Sequence, residues 1–191
     1  TAALIVVLIG VFDDHSSLPV SYRLLFQIIA ALILVTVGEE GISSLGNLLG
    51  YGEITLNEWS MLLSVFAIIA GINAVNMADG HDGVASTMFL ISIICILVLA
   101  GNVGLWKWHY LLLLFAVSTF VHLLFNLGFV GGKEHKIFLG DAGSMVLGLV
   151  LVFALIKLAD GQSPVLKATS APWILGLPLL DMASVVITRI G

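Results

Sequence analysis

The sequence predicts an all-α fold: a polytopic transmembrane helical bundle with about seven spans. Of the 191 residues, 60% are hydrophobic and 10% are charged, whereas a soluble globular domain carries roughly 25% charged residues. Mean hydropathy is +1.15. The apolar residues are gathered into long runs, most of which approach the roughly 17–25 residues that a spanning helix needs. These observations exclude a soluble domain.

The opening run, Thr1–Phe12, is too short to span a membrane and has neither an initiating Met nor the basic leader of a signal peptide. We therefore expect the chain to be a single-domain internal fragment of a larger membrane protein, with both ends missing. The longer runs, which we expect to span, are Tyr22–Val37, Trp59–Val75, Val84–Ala100, Leu105–Leu127, Met145–Leu158 and Ala171–Thr188.

Charge and cysteine content narrow the range of partners. The formal net charge is −5 and there is no basic stripe, so the chain is not expected to bind nucleic acid. Its single cysteine, Cys95, lies inside an apolar run, so neither a disulfide framework nor a cysteine metal site is expected. A small phosphate ligand remains compatible with the negative charge, because divalent cations bridge acidic side chains to phosphates.

Each span reverses the side of the membrane, which assigns the polar loops to two faces. Asp13–Ser17, Asn76–Gly83 and Gly131–Gly143 fall on the first face; Gly38–Glu58, Gly101–Gly104 and Asp160–Ser170 fall on the other. The residues suited to chemistry are thus concentrated on the first face. Four basic residues against three give that face a small bias toward the cytoplasm. The stretch 38–58 is predicted to form a short hairpin or an interfacial segment.

Asp13 and Asp14 follow the opening run directly. Adjacent carboxylates repel each other unless a cation or a shared proton relieves them, which favours a divalent metal or a base with a raised pKa. The alternative is an exposed turn before a helix that begins near Pro19, and the spacing alone gives both interpretations equal weight.

The densest polar stretch runs from Asn73 to Gly83. Residues three apart are neighbours on a helix, so Asn76 can lie beside Asp79, and Asp79 beside Asp82. An unbroken helix would point Asn73 and Asp82 in opposite directions. We therefore expect the helix to end near Asp79 and the glycine after it, so that the backbone turns toward a functional site. Helix capping alone leaves the two asparagines unexplained.

A third polar cluster precedes the apolar run that begins near residue 145. Asp141 is either an N-cap or a metal ligand beside a phosphate. The second interpretation uses the helix N-terminus, where free N–H groups and small residues such as Gly140 and Ser144 let a phosphate approach closely. Lys136 would offset the remaining phosphate charge, and Phe138 offers an aromatic face to a base.

Three further polar side chains lie deeper in the predicted spans. His122 and Asn126 fall within Leu105–Leu127, and Asp181 falls within the last run. Ionisable groups inside a membrane are costly and are functional candidates by default. For His122 and Asp181, a role in helix packing is an equal alternative.

Three motifs together resemble a known family. Phe12-Asp13-Asp14, Asn73-Ala-Val-Asn76-Met-Ala-Asp79-Gly-His-Asp82-Gly83 and Phe138-Leu-Gly-Asp141-Ala-Gly-Ser144 have the order and spacing found in the polyprenyl-phosphate N-acetylhexosamine-1-phosphate transferases. The resemblance covers essentially the whole chain. Ser43-Ser44-Leu45-Gly46 and Asn126-Leu127-Gly128 make it most similar to the bacterial branch that uses undecaprenyl phosphate and N-acetylglucosamine.

The resemblance implies transfer of N-acetylhexosamine 1-phosphate, with N-acetylglucosamine 1-phosphate favoured, from a UDP-sugar to undecaprenyl phosphate. The products are a lipid diphospho-sugar and UMP, as the first membrane step of a cell-surface glycan pathway. It also implies Mg²⁺ or Mn²⁺, and a parent enzyme of ten or eleven spans in the bacterial inner membrane with a cytoplasmic active site. Expected partners are undecaprenyl phosphate, a UDP-N-acetylhexosamine and the membrane; a homodimer is a candidate assembly.

Carried over by position, the resemblance implies metal ligands at Asp141, Asn76 and Asp13. Asp13 and Asp14 match the pair assigned to nucleophile activation or metal binding, and Asp79 and Asp82 match positions assigned to nucleotide-sugar binding or catalysis. The expected substrate contacts, among which Phe138 meets the uracil, are Asn73, Asn126, Lys136, Phe138, Gly140 and Ser144.

The sequence departs from the family pattern in three places. His81 replaces an apolar residue, and His15 stands where relatives often carry a basic side chain. The His-rich loop expected after the last span is not in this sequence, so we expect residues 1–191 alone to be inactive.

Two other classes of protein remain as alternatives. A secondary transporter would carry coupling carboxylates along its spans. Of the candidate carboxylates in this sequence, only Asp181 lies in the interior of a predicted span. A structural membrane subunit with helix-capping carboxylates leaves Asn73 and Asn76 unexplained. For an enzyme, a dianionic lipid phosphate favours direct displacement over a covalent aspartyl intermediate, and the sequence leaves both routes open.

Overall fold

The fold is an all-α bundle, as the sequence predicts. The computed structural model describes residues 1–39, 41–47, 50–101, 108–159 and 165–190. Residues 102–104 of the predicted loop at 101–104, and part of the predicted loop at 160–170, lie outside the described residues. The helices are α1 (Ala2–Ser16), α2 (Val20–Thr36), α3 (Trp59–Met77), α4 (Val84–Gly101), α5 (His109–Asn126), α6 (Gly140–Ala159), α7 (Ala171–Ile174) and α8 (Gly176–Ile190), with 3₁₀ turns at Lys133–His135 and Ala168–Ser170.

The number of membrane-length helices is lower than the predicted seven. In the described part of the chain, α3, α4, α5 and α6 are each long and apolar enough to cross a membrane, and α7 with α8 forms a fifth span if the bent pair is counted as one. α2 is apolar but has 17 residues, and α1 has 15. The chain is therefore a multi-pass membrane protein.

The last predicted span, Ala171–Thr188, is broken into two helices in the structure. α7 and α8 meet at an angle of 74°. Pro178 has no N–H to donate to the carbonyl four residues earlier, that of Ile174. That carbonyl instead accepts a hydrogen bond from the Ser92 hydroxyl on α4, at 2.9 Å. The hydroxyl of Ser92 therefore replaces the hydrogen bond that the Ile174 carbonyl lacks at the bend.

Helix α6 lies at the centre of the bundle and packs against α1, α3 and α4. Glycines make the two closest approaches possible. A Cβ at Gly10 of α1 would lie 2.3 Å from Cα of Ala142, and one at Gly148 would lie 2.7 Å from the carbonyl oxygen of Gly71 on α3. These approaches bring the start of α6 beside the ends of α1 and α3, where the sequence places its polar motifs.

At the opposite end, the stretch 38–58 contains the predicted hairpin. Ser44 and Thr55 form an antiparallel bridge, and the amide of Leu45 donates to the carbonyl of Ile54 at 2.9 Å. The side chain of Lys167 lies beside Gly46. The hairpin and the segment after α6 thus share one end of the bundle, as the alternation of spans predicts.

The end of α3 also agrees with the sequence. The helix ends at Met77 and is followed by a turn over residues 78–83, within about two residues of the predicted end. Gly83 has φ +78, and a Cβ there would meet Leu127 at 2.8 Å. The turn therefore depends on a glycine at this position.

Candidate functional site

The three polar motifs meet at one end of the bundle. Asn76 Nδ2, at the end of α3, donates to Asp141 Oδ1 at 2.6 Å. Asp14, near the end of α1, accepts from the backbone amide of Asp141 at 2.7 Å and from that of Ala142 at 3.2 Å. The predicted convergence of the first, second and third motifs is therefore present, with Asp141 in contact with both of the others.

The contact between α3 and α6 is a small network rather than a single bond. Asn76 Nδ2 also lies 2.9 Å from Ser144 Oγ, and that hydroxyl donates to the carbonyl of Gly140 at 2.9 Å. Gly140 has φ +68, and a Cβ there would lie 2.8 Å from the Asp14 carboxylate. Only glycine lets Asp14 reach the first turn of α6 without a clash.

The start of α6 differs from the expectation of free N–H groups. The amides of Asp141 and Ala142 already donate to Asp14, which thus acts as an N-terminal cap supplied by another helix. A carboxylate is stabilised there by the same helix dipole that would attract a phosphate. A phosphate could use these two amides only by displacing the Asp14 side chain.

Asp13 has a different environment from its neighbour. It is 5% exposed, its Oδ2 pairs with Arg23 at 2.9 Å, and its Oδ1 accepts from the amide of Leu18 at 2.7 Å. The exposed-turn interpretation is therefore wrong for Asp13. Its carboxylate also lies near that of Asp141. Both carboxylate oxygens hold the turn between α1 and α2, and its role as a metal ligand stays a prediction.

Asp79 is the half-buried acid of the cluster. Burial, together with the nearby carboxylates of Asp141 and Asp14, raises the pKa of Asp79 from 3.8 to about 6. A group with such a pKa exchanges protons near neutral pH. Three carboxylates that repel one another make this end of the bundle a strongly negative site.

The remaining first-face residues lie at the edge of this cluster. Lys136 Nζ pairs with Asp82 Oδ2 at 2.5 Å, and both side chains are partly exposed. Phe138 is 77% exposed. The basic loop is thus tied to the α3–α4 turn by an ion pair while its aromatic ring is free to receive a flat ligand.

Two predicted substrate contacts lie deeper. Asn73 Nδ2 donates to Gln27 Oε1 at 2.6 Å and to the Ile69 carbonyl at 2.8 Å. Asn126 is buried, and its Nδ2 donates to the carbonyl of Ile137 at 2.8 Å. Both side chains hold protein segments together here, and their roles toward a substrate stay predictions.

Two residues that contact the site residues are not among the candidates that the sequence predicts. Arg23 is the partner of Asp13, and Gln27 is the partner of Asn73. The available signal was their spacing, since residues four apart on α2 share one face. For His122, the structure favours the packing alternative, because its Nδ1 lies 3.1 Å from the hydroxyl of Ser86 on α4.

The donor chemistry of the site fits a hard divalent cation. Asp14, Asp79 and Asp141 raise the local negative charge, and an amide turned about its axis would offer the Asn76 oxygen. Mg²⁺ is usually held by one or two carboxylates together with phosphate oxygens and water. Within the described residues, no three His, Cys, Asp or Glu side chains already surround one point. A cation here would therefore need phosphate or water oxygens to complete its shell.

The chain matches the profile of glycosyl transferase family 4 over residues 1–159. That interval contains all three motifs that meet at Asp141.

Two of the curated relatives are bacterial enzymes that share one name. The undecaprenyl-phosphate alpha-N-acetylglucosaminyl 1-phosphate transferase of Escherichia coli K12 is 30% identical over 189 residues, covering 97% of this chain and 50% of the relative. The enzyme of the same name from Haemophilus influenzae is 32% identical over 185 residues, covering 95% of this chain and 51% of the relative. The chain spans about half the length of the curated relatives it matches. On the match over residues 1–159, the chain belongs to glycosyl transferase family 4.

Proposed function

We propose that this chain forms the catalytic part of an enzyme that transfers N-acetylglucosamine 1-phosphate from UDP-N-acetylglucosamine to undecaprenyl phosphate. The lipid phosphate oxygen attacks the sugar-bearing β-phosphorus. The bond from that phosphorus to the oxygen bridging the two phosphates breaks, and UMP leaves. The product is an undecaprenyl diphospho-sugar, which opens a cell-surface glycan pathway. The names of the relatives support this choice of substrates.

The observation that carries the proposal is the contact of Asp141 with both Asn76 and Asp14. Three polar motifs far apart in the sequence would have no reason to converge at one end of the bundle in a purely structural subunit. A transporter is also disfavoured, because the carboxylates of the cluster lie at helix ends rather than along the spans.

The reaction brings two anions together, so charge compensation is its main requirement. Asp141, with Asn76 and Asp13, would hold Mg²⁺ or Mn²⁺ jointly with the diphosphate, and the nearby Asp14 and Asp79 would add negative charge. When bound, the cation would neutralise phosphate charge and align the attack. The chain's own residues then orient the substrates. Lys136 can exchange its ion pair with Asp82 for one with a phosphate, and Phe138 can stack on uracil.

Proton transfer makes only a small demand on the site. A phosphate monoester has its second pKa near 6, so much of the lipid phosphate is already dianionic at pH 7. Asp79, whose pKa is raised to about 6, can accept the remaining proton. This arrangement supports direct displacement without a covalent aspartyl intermediate.

The orientation follows from the lipid acceptor and the nucleotide donor. We place the end of the bundle that carries Asp141 at the cytoplasmic face of the bacterial inner membrane, where UDP-sugars are available. The polar head of the acceptor would meet the cluster at that face, with its isoprenoid chain in the bilayer. A homodimer is the proposed assembly.

The test uses the protein produced from its complete gene. Membranes containing it are incubated with undecaprenyl phosphate, Mg²⁺ and, separately, several UDP-sugars, and the lipid product is identified by mass. The expected result is UMP together with undecaprenyl diphospho-N-acetylglucosamine only when UDP-N-acetylglucosamine is supplied. Product from another UDP-sugar would overturn the choice of donor, and no UMP with any donor would overturn the transferase assignment.

A further inference from the structure

A polar contact inside the bundle lies one helical turn deeper than the proposed site. Gln27 on α2 is fully buried among apolar helices. Its Oε1 accepts from Asn73 Nδ2 at 2.6 Å, and its Nε2 lies 3.9 Å from the sulfur of Met145 on α6. A thioether is a weak acceptor, so the bond to Asn73 is the contact that compensates for burial of this amide.

The partners of Gln27 adjoin the residues that join α3 to α6. Asn73 lies three residues before Asn76, on the same side of α3. Met145 follows Ser144, which with Asp141 receives the two bonds from Asn76. The bundle therefore has two polar layers in succession: Asn76 with Asp141 and Ser144 at the surface, and Gln27 with Asn73 and Met145 beneath them.

We propose that Gln27 is a positioning residue, which holds the last turn of α3 through Asn73 so that Asn76 meets Asp141. The inference rests on the proposed function, and gives α2 a part in it. Without the acceptor on Gln27, Asn73 keeps only its bond to the carbonyl of its own helix at Ile69. The end of α3 then loses its hydrogen bond to α2. Without that bond, the distance between Asn76 and Asp141 is less well fixed.

The variant for testing is Gln27→Met, which keeps the length and volume of the side chain and removes the acceptor. In the full-length protein we expect kcat to fall about 10- to 100-fold, the cost of a displacement of about 1 Å at a reacting site. KM for the UDP-sugar should change less than kcat, because Phe138, the proposed uracil contact, lies outside the segments that Gln27→Met loosens. The same substitution in an Asn73→Ala background should cause no further loss, since Gln27 acts through Asn73.

A matched control is Ser92→Ala. Ser92 is also a buried polar residue that bonds across helices, but its partner is the carbonyl of Ile174 at the bend between α7 and α8. It should leave kcat unchanged. The proposal would be overturned if Gln27→Met left kcat unchanged or caused its full loss again in the Asn73→Ala background. An equal loss of kcat for Ser92→Ala would also overturn it.

A second readout does not depend on activity. Hydrogen–deuterium exchange of the purified proteins should show faster exchange at residues 73–83 and 140–145 in Gln27→Met, with α4 and α5 unchanged. Unchanged or uniformly faster exchange would overturn the positioning role. If the wild-type protein made no lipid product, the proposed transferase function would fail, and exchange alone would then decide whether Gln27 orders the end of α3.

Discussion

Asn76 and Asp141, 65 residues apart in the sequence, are joined by a hydrogen bond of 2.6 Å between the amide of one and the carboxylate of the other. The bond ties the end of α3 to the start of α6, the central helix of the bundle. Because the Asp14 carboxylate also meets the backbone of Asp141, this residue links all three motifs. The first two predictions follow from this position.

Asp141→Asn should abolish transfer while leaving the fold intact. The substituted side chain keeps an oxygen to accept from Asn76 and a backbone amide for Asp14, but it loses the negative charge that would hold a cation. UMP release by membranes with the full-length protein should fall about 100-fold or more. Protein level in the membrane should match wild type. Glu58→Gln, an exposed acid at the opposite end, is the control, and near-normal turnover of Asp141→Asn would contradict the ligand role.

Asn76→Ala should lower the apparent affinity for Mg²⁺ more than it lowers the stability of the fold. The substitution removes both bonds to Asp141 and Ser144, so Asp141 loses the group that orients it. Orienting partners of metal ligands typically contribute about 10- to 100-fold in affinity, and Asn76, which is also a proposed ligand, should contribute at least as much. The Mg²⁺ concentration for half-maximal UMP release should rise by that factor, with partial recovery at high Mg²⁺. An unchanged Mg²⁺ dependence would contradict this.

Asp79→Asn should stabilise the protein at neutral pH. The pKa of Asp79 is raised from 3.8 to about 6 in the folded state, so the folded protein binds the proton more tightly and loses stability as pH rises from about 4 to about 6. The amide variant avoids this loss. Because Asp79 is only partly buried and solvent screens its charge, we expect a Tm about 2–4 °C higher at pH 7, equivalent to about 1 kcal/mol.

The same comparison at low pH supplies the control for Asp79. At pH 3 and below the acid is protonated in both the folded and the unfolded state, so wild type and Asp79→Asn should unfold at the same temperature. Thermal unfolding of the detergent-solubilised proteins at pH 3 and pH 7 measures both effects. A Tm difference that is equal at the two pH values would show that titration of Asp79 is not its cause.

Gly140→Ala should disrupt the cap on α6. A methyl group there would lie 2.8 Å from the Asp14 carboxylate, on a residue with φ +68. We expect lower thermal stability by about 1–3 kcal/mol from the strained backbone conformation, and strongly reduced UMP release. Gly176→Ala is the control, because a Cβ at that position meets no atom of the described residues within 4 Å. Equal behaviour of the two variants would contradict the proposed cap.

Phe138→Ala should weaken binding of the nucleotide without a change in stability. Phe138 is 77% exposed and Phe129, in the same connection between α5 and α6, is 76% exposed. Loss of a base-stacking aromatic costs about 1–3 kcal/mol, which predicts a KM for the UDP-sugar at least about fivefold higher for Phe138→Ala. Phe129→Ala should leave KM unchanged. Steady-state kinetics with both variants distinguishes stacking from a general effect of the loop.

Much of the architecture could be predicted from local pattern. The long apolar runs gave the all-α class, and counting spans placed Asp14, Asn76 and Asp141 at one end of the bundle. The glycines after Asp79 indicated where α3 ends. These predictions succeed because helix length, polarity and direction of crossing are properties of each segment by itself.

The partners of single side chains could not be predicted in this way. Asp13 and Asp14 are identical neighbours in the sequence, yet one pairs with Arg23 and the other caps α6. About 100° separates successive residues on a helix, so adjacent side chains face different neighbours. Which neighbours they meet depends on how α2 and α6 pack against α1.

The sequence by itself determined that this chain crosses the membrane several times and carries three acidic motifs on one face. Only the tertiary structure decided that Asp141 is the residue that the other two motifs touch, that α7 and α8 form a bent pair, and that Gln27 supports the end of α3. The physical reason is that hydropathy acts along each helix, whereas hydrogen bonds in a membrane interior form between helices that the sequence places far apart.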